Sequence, residues 1–238
     1  MGFLRWLRGF VVDQRCIPWR LHVWMGRHCP RLLIFLKTGR TNVNTPRHWD
    51  RKWEEVGPDG ARWCRFPKKF ARICELVAPR ARVLDVGCGV GILLDMLRDR
   101  KDCACTGLDI SPTAIAMVEA KGMRGVVATL PEMPLDDASF DAAVATELIE
   151  HLSRPERTLH EIARVTRPGG TIILSTPNED LRPEDTVEHL NAYDTRSLAR
   201  FLGTVAEDVH VEVIEEDGFE ADFLLAWGTK PVGAESAG

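Results

Sequence analysis

The chain of 238 residues has no apolar run long enough to cross a bilayer; the longest, Leu32 to Leu36, falls far short of the roughly 20 residues a spanning helix requires. No small-residue cleavage site follows a signal-type core, so neither a secretory leader nor a transmembrane span is expected. Cysteines number seven, an odd count with no C-x-x-C pair. That spacing offers neither a zinc site nor a disulfide framework, and a reducing, cytoplasmic location is the expectation. Cys103 and Cys105 alternate on a strand and share one face, as packing residues do. There is no internal repeat, and no low-complexity segment precedes the small-residue end after Pro231. With 45% apolar and 28% charged residues, the chain reads as one ordinary folded domain with an extension.

What the chain has in excess is basic charge at one end. A net charge of −4 hides +7 on residues 1–40, where eight Arg and Lys face Asp13 alone, leaving −11 for the remainder. Trp6, Trp19 and Trp24 stand in the same stretch, and Leu4, Leu7 and Val11 recur at helical spacing beside arginines. Three readings stay open for this arm: an interfacial helix on an anionic membrane, a nucleic-acid arm, or a structural cap.

The stretch Ala81 to Leu97, ARVLDVGCGVGILLDML, places a buried strand, a glycine turn and a helix start in one run. Val83, Leu84 and Val86 suit a strand covered on both faces. Gly87, Gly89 and Gly91 let backbone N–H groups approach a ligand at a helix N-terminus. The spacing is G-x-G-x-G, because Ile92 occupies the third position of the dinucleotide pattern G-x-G-x-x-G. Asp85, two residues before the first glycine, would repel a pyrophosphate and suits a cofactor ammonium.

DVGCGVG followed by Gly107-Leu108-Asp109-Ile110-Ser111 resembles motifs I and II of the class I S-adenosylmethionine (SAM) dependent methyltransferases. Later segments match in order: LPEMPLDDASFDAAVATELIEHL, RVTRPGGTIILSTPN and HLNAYDTRSLARFL. The resemblance, extending to ubiquinone-type and related small-molecule O-methyltransferases, implies an α/β fold. That fold is a Rossmann-like, seven-stranded, mostly parallel sheet with helices on both faces, an antiparallel last strand and a helical N-terminal extension.

The expected strands are Val83–Val86, Cys105–Ile110, Val126–Leu130, Phe140–Thr146 and Thr171–Thr176, then an antiparallel pair, Val209–Ile214 and Glu220–Trp227. Helices are expected from Ile92 to about Arg98, Pro112 to Lys121 with Ser111 as cap, Pro155 to Thr166 and Thr195 to Leu202. The organisation is then a basic extension (1–40), a helical cap or lid (41–80), the SAM-binding domain (81–230) and a flexible tail (231–238). In the cap, a W-D-x-x-W-like segment, with His48, Trp49 and Trp53, either lines the site's mouth or packs as ordinary aromatic residues.

For the cofactor, the resemblance assigns Asp85, Gly87, Cys88, Gly89 and Gly91 to the glycine loop. Asp109 would bind the ribose hydroxyls and Ile110 would pack on adenine, with Thr129, Leu130 and Thr146 nearby. At the end of strand three, where relatives often carry an acid, this chain has Thr129 and Leu130. After strand four, Glu147 starting a helical turn would put Glu150 and His151 on its own face.

With a distal His189, that E-x-x-E-H set is similar to the family's divalent-cation sites, with Mg²⁺, Mn²⁺ or Zn²⁺ as the ion. The alternative is His151 or His189 as general base beside Glu147. An N-P-P-Y-type motif for nucleobase amines is absent after strand four. The expected reaction is therefore methyl transfer to a hydroxyl of a small lipid, quinone or glycan-type acceptor, met at the inner face of a membrane. The alternatives are RNA 2′-O-methylation and a SAM-binding subunit without turnover.

Overall fold

A computed structural model describes Met25, Cys29, Leu32 and residues 42–60, 66–178, 188–218 and 222–233. Nearly all of the basic arm, and the tail beyond 233, lie outside the described residues. The chain order is α1 (Pro46–Val56), α2 (Pro67–Leu76), β1 (Arg82–Val86), α3 (Ile92–Lys101), β2 (Ala104–Asp109), α4 (Pro112–Ala120), β3 (Arg124–Val127) and β4 (Phe140–Thr146). A 3-10 turn (Ile149–His151) follows, then α5 (Pro155–Val165), β5 (Thr166–Pro177), α6 (Thr195–Leu202), β6 (Glu207–Ile214) and β7 (Phe223–Thr229). The seven strands form one sheet in the order β3-β2-β1-β4-β5-β7-β6, with β7 antiparallel to both β5 and β6. The expected fold class is borne out, the antiparallel strand beside β5 included.

Period-2 alternation divides the core. On β1, Leu84 and Val86 face a layer with Leu159 and Ile162 of α5 and Leu198 and Leu202 of α6. Val83 faces the opposite layer, with Ile73 of α2 and Leu94 and Leu97 of α3. The sheet is therefore covered on both faces, as the continuous apolar runs of its inner strands require.

Two strand limits differ from expectation. β3 ends at Val127 instead of running from Val126 to Leu130, because Pro131 has no N–H to continue a ladder and Thr129 and Leu130 turn to line a cavity. β5 begins at Thr166, the Pro168-Gly169-Gly170 segment being absorbed as an irregularity where the register with β4 jumps from Phe140↔Thr166 to Ala142↔Thr171.

Ahead of the sheet, α1 is fastened across the carboxyl ends of the strands by Asp50. Its Oδ1 accepts from the Ser111 hydroxyl (2.5 Å) and from the Thr113 backbone N–H (3.2 Å), while Ser111 Oγ caps α4 by accepting from Ala114 N. These bonds hold the Asp50 carboxyl below its ordinary pKa, the Ser111 hydroxyl contributing most. α2 has no side-chain cap of its own. Glu216, 5% exposed, supplies one from after β6 by accepting from Lys69 N (2.6 Å) and Lys68 N (3.3 Å).

Asp50→Ala should remove two bonds to a charged acceptor and cost about 1–2 kcal/mol in urea unfolding, with looser SAM binding as α1 detaches. Unchanged stability and affinity would mean that α1 is held by its tryptophans alone.

Candidate active site

The strand order reverses direction between β1 and β4, which opens a crevice at their carboxyl ends where ligands of open α/β sheets are held. Asp85 lies on β1, with Gly87 just beyond its end, Asp109 ends β2, and Glu147 directly follows β4. Two adjoining cavities occupy the crevice. One, of about 340 Å³, is lined by the glycine loop, Thr146, Glu147, Glu150, His151 and His189, with Phe66, Phe70 and Phe223 opposite. The other, of about 240 Å³, is lined by Asp109, Ile110, Thr129, Leu130 and Leu148. Trp49, Trp53, Gly87, Glu147 and His151 belong to both walls and mark where the cavities meet.

The loop is built for close approach. Gly87 (φ 77°) and Gly89 (φ 50°) occupy the left-handed region, and a Cβ on Gly89 would come within 2.7 Å of the Trp53 ring. Gly91 has φ 78° and lines neither cavity; a Cβ there would press on Val118 at 3.0 Å, so it serves the packing of α3 on α4. Cys88 lines the larger cavity, its thiol pushed well above its ordinary pKa by burial and by the Asp109 and Asp85 carboxyls.

Asp85 is 2% exposed, and its buried Oδ1 has no hydrogen-bond partner among the described residues. Burial, aided by Asp109, pushes its pKa up to about 7. An orphaned carboxyl oxygen beside the glycine loop fits a cofactor ammonium. Asp109 is also pushed up, to about 6, mainly by burial, with the N–H groups of Ser111 and Gly89 acting against it. Its oxygens accept those groups at 2.9 and 3.0 Å. Each carboxylate oxygen retains a second lone pair, so both remain available to ribose hydroxyls. The residues present fit SAM.

At the other end, Glu147 departs from expectation. It has φ 51° and precedes the 3-10 turn, so it does not share a helical face with Glu150 and His151. Its Oε1 instead accepts from the Lys69 ammonium (2.8 Å) and the Ser175 hydroxyl (2.6 Å). Potential ligand atoms of Glu150, His151 and His189 lie within 4.8 Å of one another, but Glu147 is not among them. The four-ligand set implied by the resemblance is not assembled.

Glu150 is 1% exposed; Oε2 accepts from the Thr176 hydroxyl (3.2 Å), whereas Oε1 makes no hydrogen bond among the described residues and lies 3.9 Å from His151 Nε2. Burial, and then Glu147, push the Glu150 pKa well up. His151 Nδ1 lies 3.1 Å from the Glu188 carbonyl, which can only accept, so Nδ1 carries the proton and Nε2 keeps a lone pair. Burial, then His189, push the His151 pKa down to about 3. His189 is lowered as well, by burial, against the attraction of Glu147 and Glu188.

Several residues here carry no motif in the sequence. Lys69 is fully buried, its ammonium pushed down by burial and held up by Glu147. Glu188 accepts from Lys52 Nζ (3.0 Å), pairs with His48 (3.1 Å), and through its carbonyl takes Asn44 Nδ2 (2.8 Å) as well as His151. His48 thus stands behind Glu188 and does not line either cavity, unlike Trp49 and Trp53. Trp49 stacks near Trp53 (6.0 Å between centroids) and meets His151 edge-on (5.2 Å).

The family model described as "Methyltransferase domain" matches residues 84–174. A Mycolicibacterium smegmatis protein named "Probable S-adenosylmethionine-dependent methyltransferase" is 36% identical over 145 residues, 60% of this chain and 53% of that protein. The Ubiquinone biosynthesis O-methyltransferase of Alkalilimnicola ehrlichii is 38% identical over 106 residues, 42% of each chain. A solved SAM-dependent methyltransferase from Aquifex aeolicus shares the fold, with a TM-score of 0.58 at 18% identity over 76% of this chain and 98% of that one. Residues 84–174 thus carry a methyltransferase domain, and the relatives that the chain resembles are named as SAM-dependent methyltransferases. The chain spans about half the length of the curated relatives it matches.

The raised pKa of Asp85 gives a signed prediction. A carboxyl whose folded pKa lies above its unfolded one makes stability fall as pH rises from about 4 to about 7. Asp85→Asn should therefore stabilise the ligand-free protein at about pH 8 by on the order of 2–4 kcal/mol in urea unfolding, and by clearly less at about pH 5. The same change should weaken SAM roughly tenfold or more by calorimetry. Equal stabilisation at both pH values would show that the carboxyl is not the buried acid described.

Proposed function

We propose that this protein transfers a methyl group from SAM to a hydroxyl of a small molecule seated in the larger cavity. The observation that carries the reading is the junction of the two cavities. There a partnerless Asp85 oxygen and the glycine loop adjoin Glu147 and a neutral His151 whose Nε2 lone pair is free of protons. A cleft of about 340 Å³ walled by Trp49, Phe66, Phe70 and Phe223 suits a compact acceptor with an apolar body. The hydroxyl is favoured by the relative named as a ubiquinone biosynthesis O-methyltransferase, and by Thr146-Glu147-Leu148-Ile149 standing where enzymes that methylate nucleobase amines place an N-P-P-Y-type motif.

In this reading Asp85 accepts the cofactor ammonium, the loop N–H groups approach its carboxylate end, Asp109 holds the ribose, and Ile110 and Leu130 flank the purine. The cofactor, when bound, supplies an electrophilic methyl on a sulfonium. Trp49 and Trp53 cover the junction and exclude water. His151 Nε2 accepts the acceptor's O–H, which aims an oxygen lone pair away from the imidazole and towards the glycine loop. Oxygen that gains a methyl while still protonated becomes strongly acidic, so even a weakly basic imidazole takes that proton.

Residues 1–40 are proposed to bring the domain to an anionic membrane, on the strength of +7 charge interleaved with Trp and Leu. Among the described residues no helix is long and apolar enough to cross a membrane.

Radiolabelled SAM offered with a panel of hydroxylated and amino-bearing aromatic and lipid compounds tests the reading. Label should enter hydroxyls, and His151→Ala should slow transfer by about 10²–10⁴ with SAM affinity kept. Label entering amines only, or a His151→Ala protein of full rate, would overturn it. Separately, deleting residues 1–40 should leave SAM affinity intact and abolish sedimentation with phosphatidylserine vesicles; unchanged sedimentation would remove the membrane role.

A further inference from the structure

Lys69 presents a charge that the reaction just outlined does not use. It sits in the first turn of α2, 0% exposed, with Nζ 2.8 Å from Glu147 Oε1. The ammonium lies 3.6 Å from the Phe66 ring centroid and 4.1 Å from that of Phe223, a cation between two aromatic faces. Its backbone N–H is fixed by Glu216. Glu147 and Ser175 then complete a chain that ends at the wall of the larger cavity. Besides the direct bond to Glu147, the ammonium is attracted by Glu150 and Glu216.

In the set that the resemblance implies, a divalent ion would draw Glu147 and Glu150 together with two imidazoles. Here one of those carboxylates is already committed to a cation covalently part of the chain. For Glu147 to turn to a metal it would have to leave a fully buried ammonium without its ion-pair partner, which is strongly unfavourable. A metal held by Glu150, His151 and His189 alone would lack the second carboxylate and face the ammonium's repulsion across Glu147.

We propose that Lys69 is the site's own cation, standing in for the divalent ion, so that Glu147, Glu150, His151 and His189 act without metal. Lys69 is then a positioning residue: it fixes Glu147 at the cavity junction and offsets a buried carboxylate, without touching the acceptor. The inference rests on the cavity being the methyl-transfer site, yet its test needs neither acceptor nor turnover.

The experiment is Mn²⁺ titration of the full chain followed by electron paramagnetic resonance, with SAM calorimetry on the same samples to report the cofactor site separately. Wild type should leave Mn²⁺ free across the micromolar range. Lys69→Met, which keeps the bulk and removes the charge, should take up a single Mn²⁺ per chain, and adding Glu150→Gln should abolish that uptake. Lys69→Gln, which keeps a donor towards Glu147, serves if the methionine variant does not fold, with the same uptake expected. Micromolar Mn²⁺ binding by wild type that is lost in Glu150→Gln would overturn the proposal. So would folded Lys69 variants that bind no more Mn²⁺ than wild type. Loss of SAM binding in wild type would instead strike the underlying functional reading.

Discussion

A buried carboxyl group with one oxygen unmet among the described residues is the constraint on which the site depends. Asp85 stands on the central strand of the sheet, paired in register with Gly107 on one side and Val144 on the other. Val83, Leu84 and Val86 around it are all completely buried. Such a group opposes folding unless something accepts or donates to it, and nothing among the described residues meets its Oδ1. The surrounding structure makes that tolerable by supplying a large two-sided apolar core, and makes it useful by opening the crevice beside it. Glycines keep the loop bare, Trp53 rests on Gly89, and Asp50 ties α1 over the opening. Stability is given up at one oxygen so that a cationic ligand meets an acceptor that water does not already satisfy.

Five carboxyl groups line the crevice, Glu188 in its ion pair with Lys52 among them, and the structure treats the other four differently. Asp109 is held by two backbone N–H groups, Glu147 by an ammonium and a hydroxyl, Glu150 by one hydroxyl, and Asp85 is left with a bare oxygen. Neighbouring carboxyls raise one another, as Glu147 does Glu150 and Asp109 does Asp85. Burial pushes Asp85, Asp109 and Glu150 all upward; backbone N–H groups act against it at Asp109, and the Thr176 hydroxyl and the Lys69 ammonium act against it at Glu150. Glu150 Oε1 faces His151 Nε2 at 3.9 Å, beyond hydrogen-bond distance.

The legible part of this fold was local. The β1–glycine–α3 unit, the alternation of strand and helix, the Ser111 cap with Pro112 in the first turn, and the antiparallel β6–β7 pair follow from spacing that a reader can count. Asp85 and Asp109 are legible for the same reason, because strand ends lie at fixed distances from the glycines. Lys69 is not. In Pro67-Lys68-Lys69-Phe70 it reads as a solvated helix face, and only contacts 78 and 147 positions away, to Glu147 and Glu216, reveal it as buried. Glu188 hides likewise, since its partners Lys52 and Asn44 are 136 and 144 positions distant. Glu147 misleads for a subtler reason: the E-x-x-E-H spacing assumes regular helix, and a single residue at φ 51° breaks the periodicity on which the shared face depended.

The division of labour between matched and unmatched segments follows from where these residues lie. The residues proposed to hold the cofactor lie within 84–174, the matched methyltransferase segment, and Trp49 and Trp53 overlie them. The far wall of the larger cavity comes from outside it: Phe66 and Phe70 before the domain, His189 and Phe223 after it. Lys69 and Glu216, which hold that wall and its charge, are outside it too. A cofactor common to many enzymes needs a constant cradle, whereas the acceptor is met by helices and strands free to differ from one relative to another. If the larger cavity seats the acceptor as proposed, selectivity rests on α1, α2 and the β6–β7 segment, and substitutions there should exchange acceptors while the cofactor half of the crevice stays as it is.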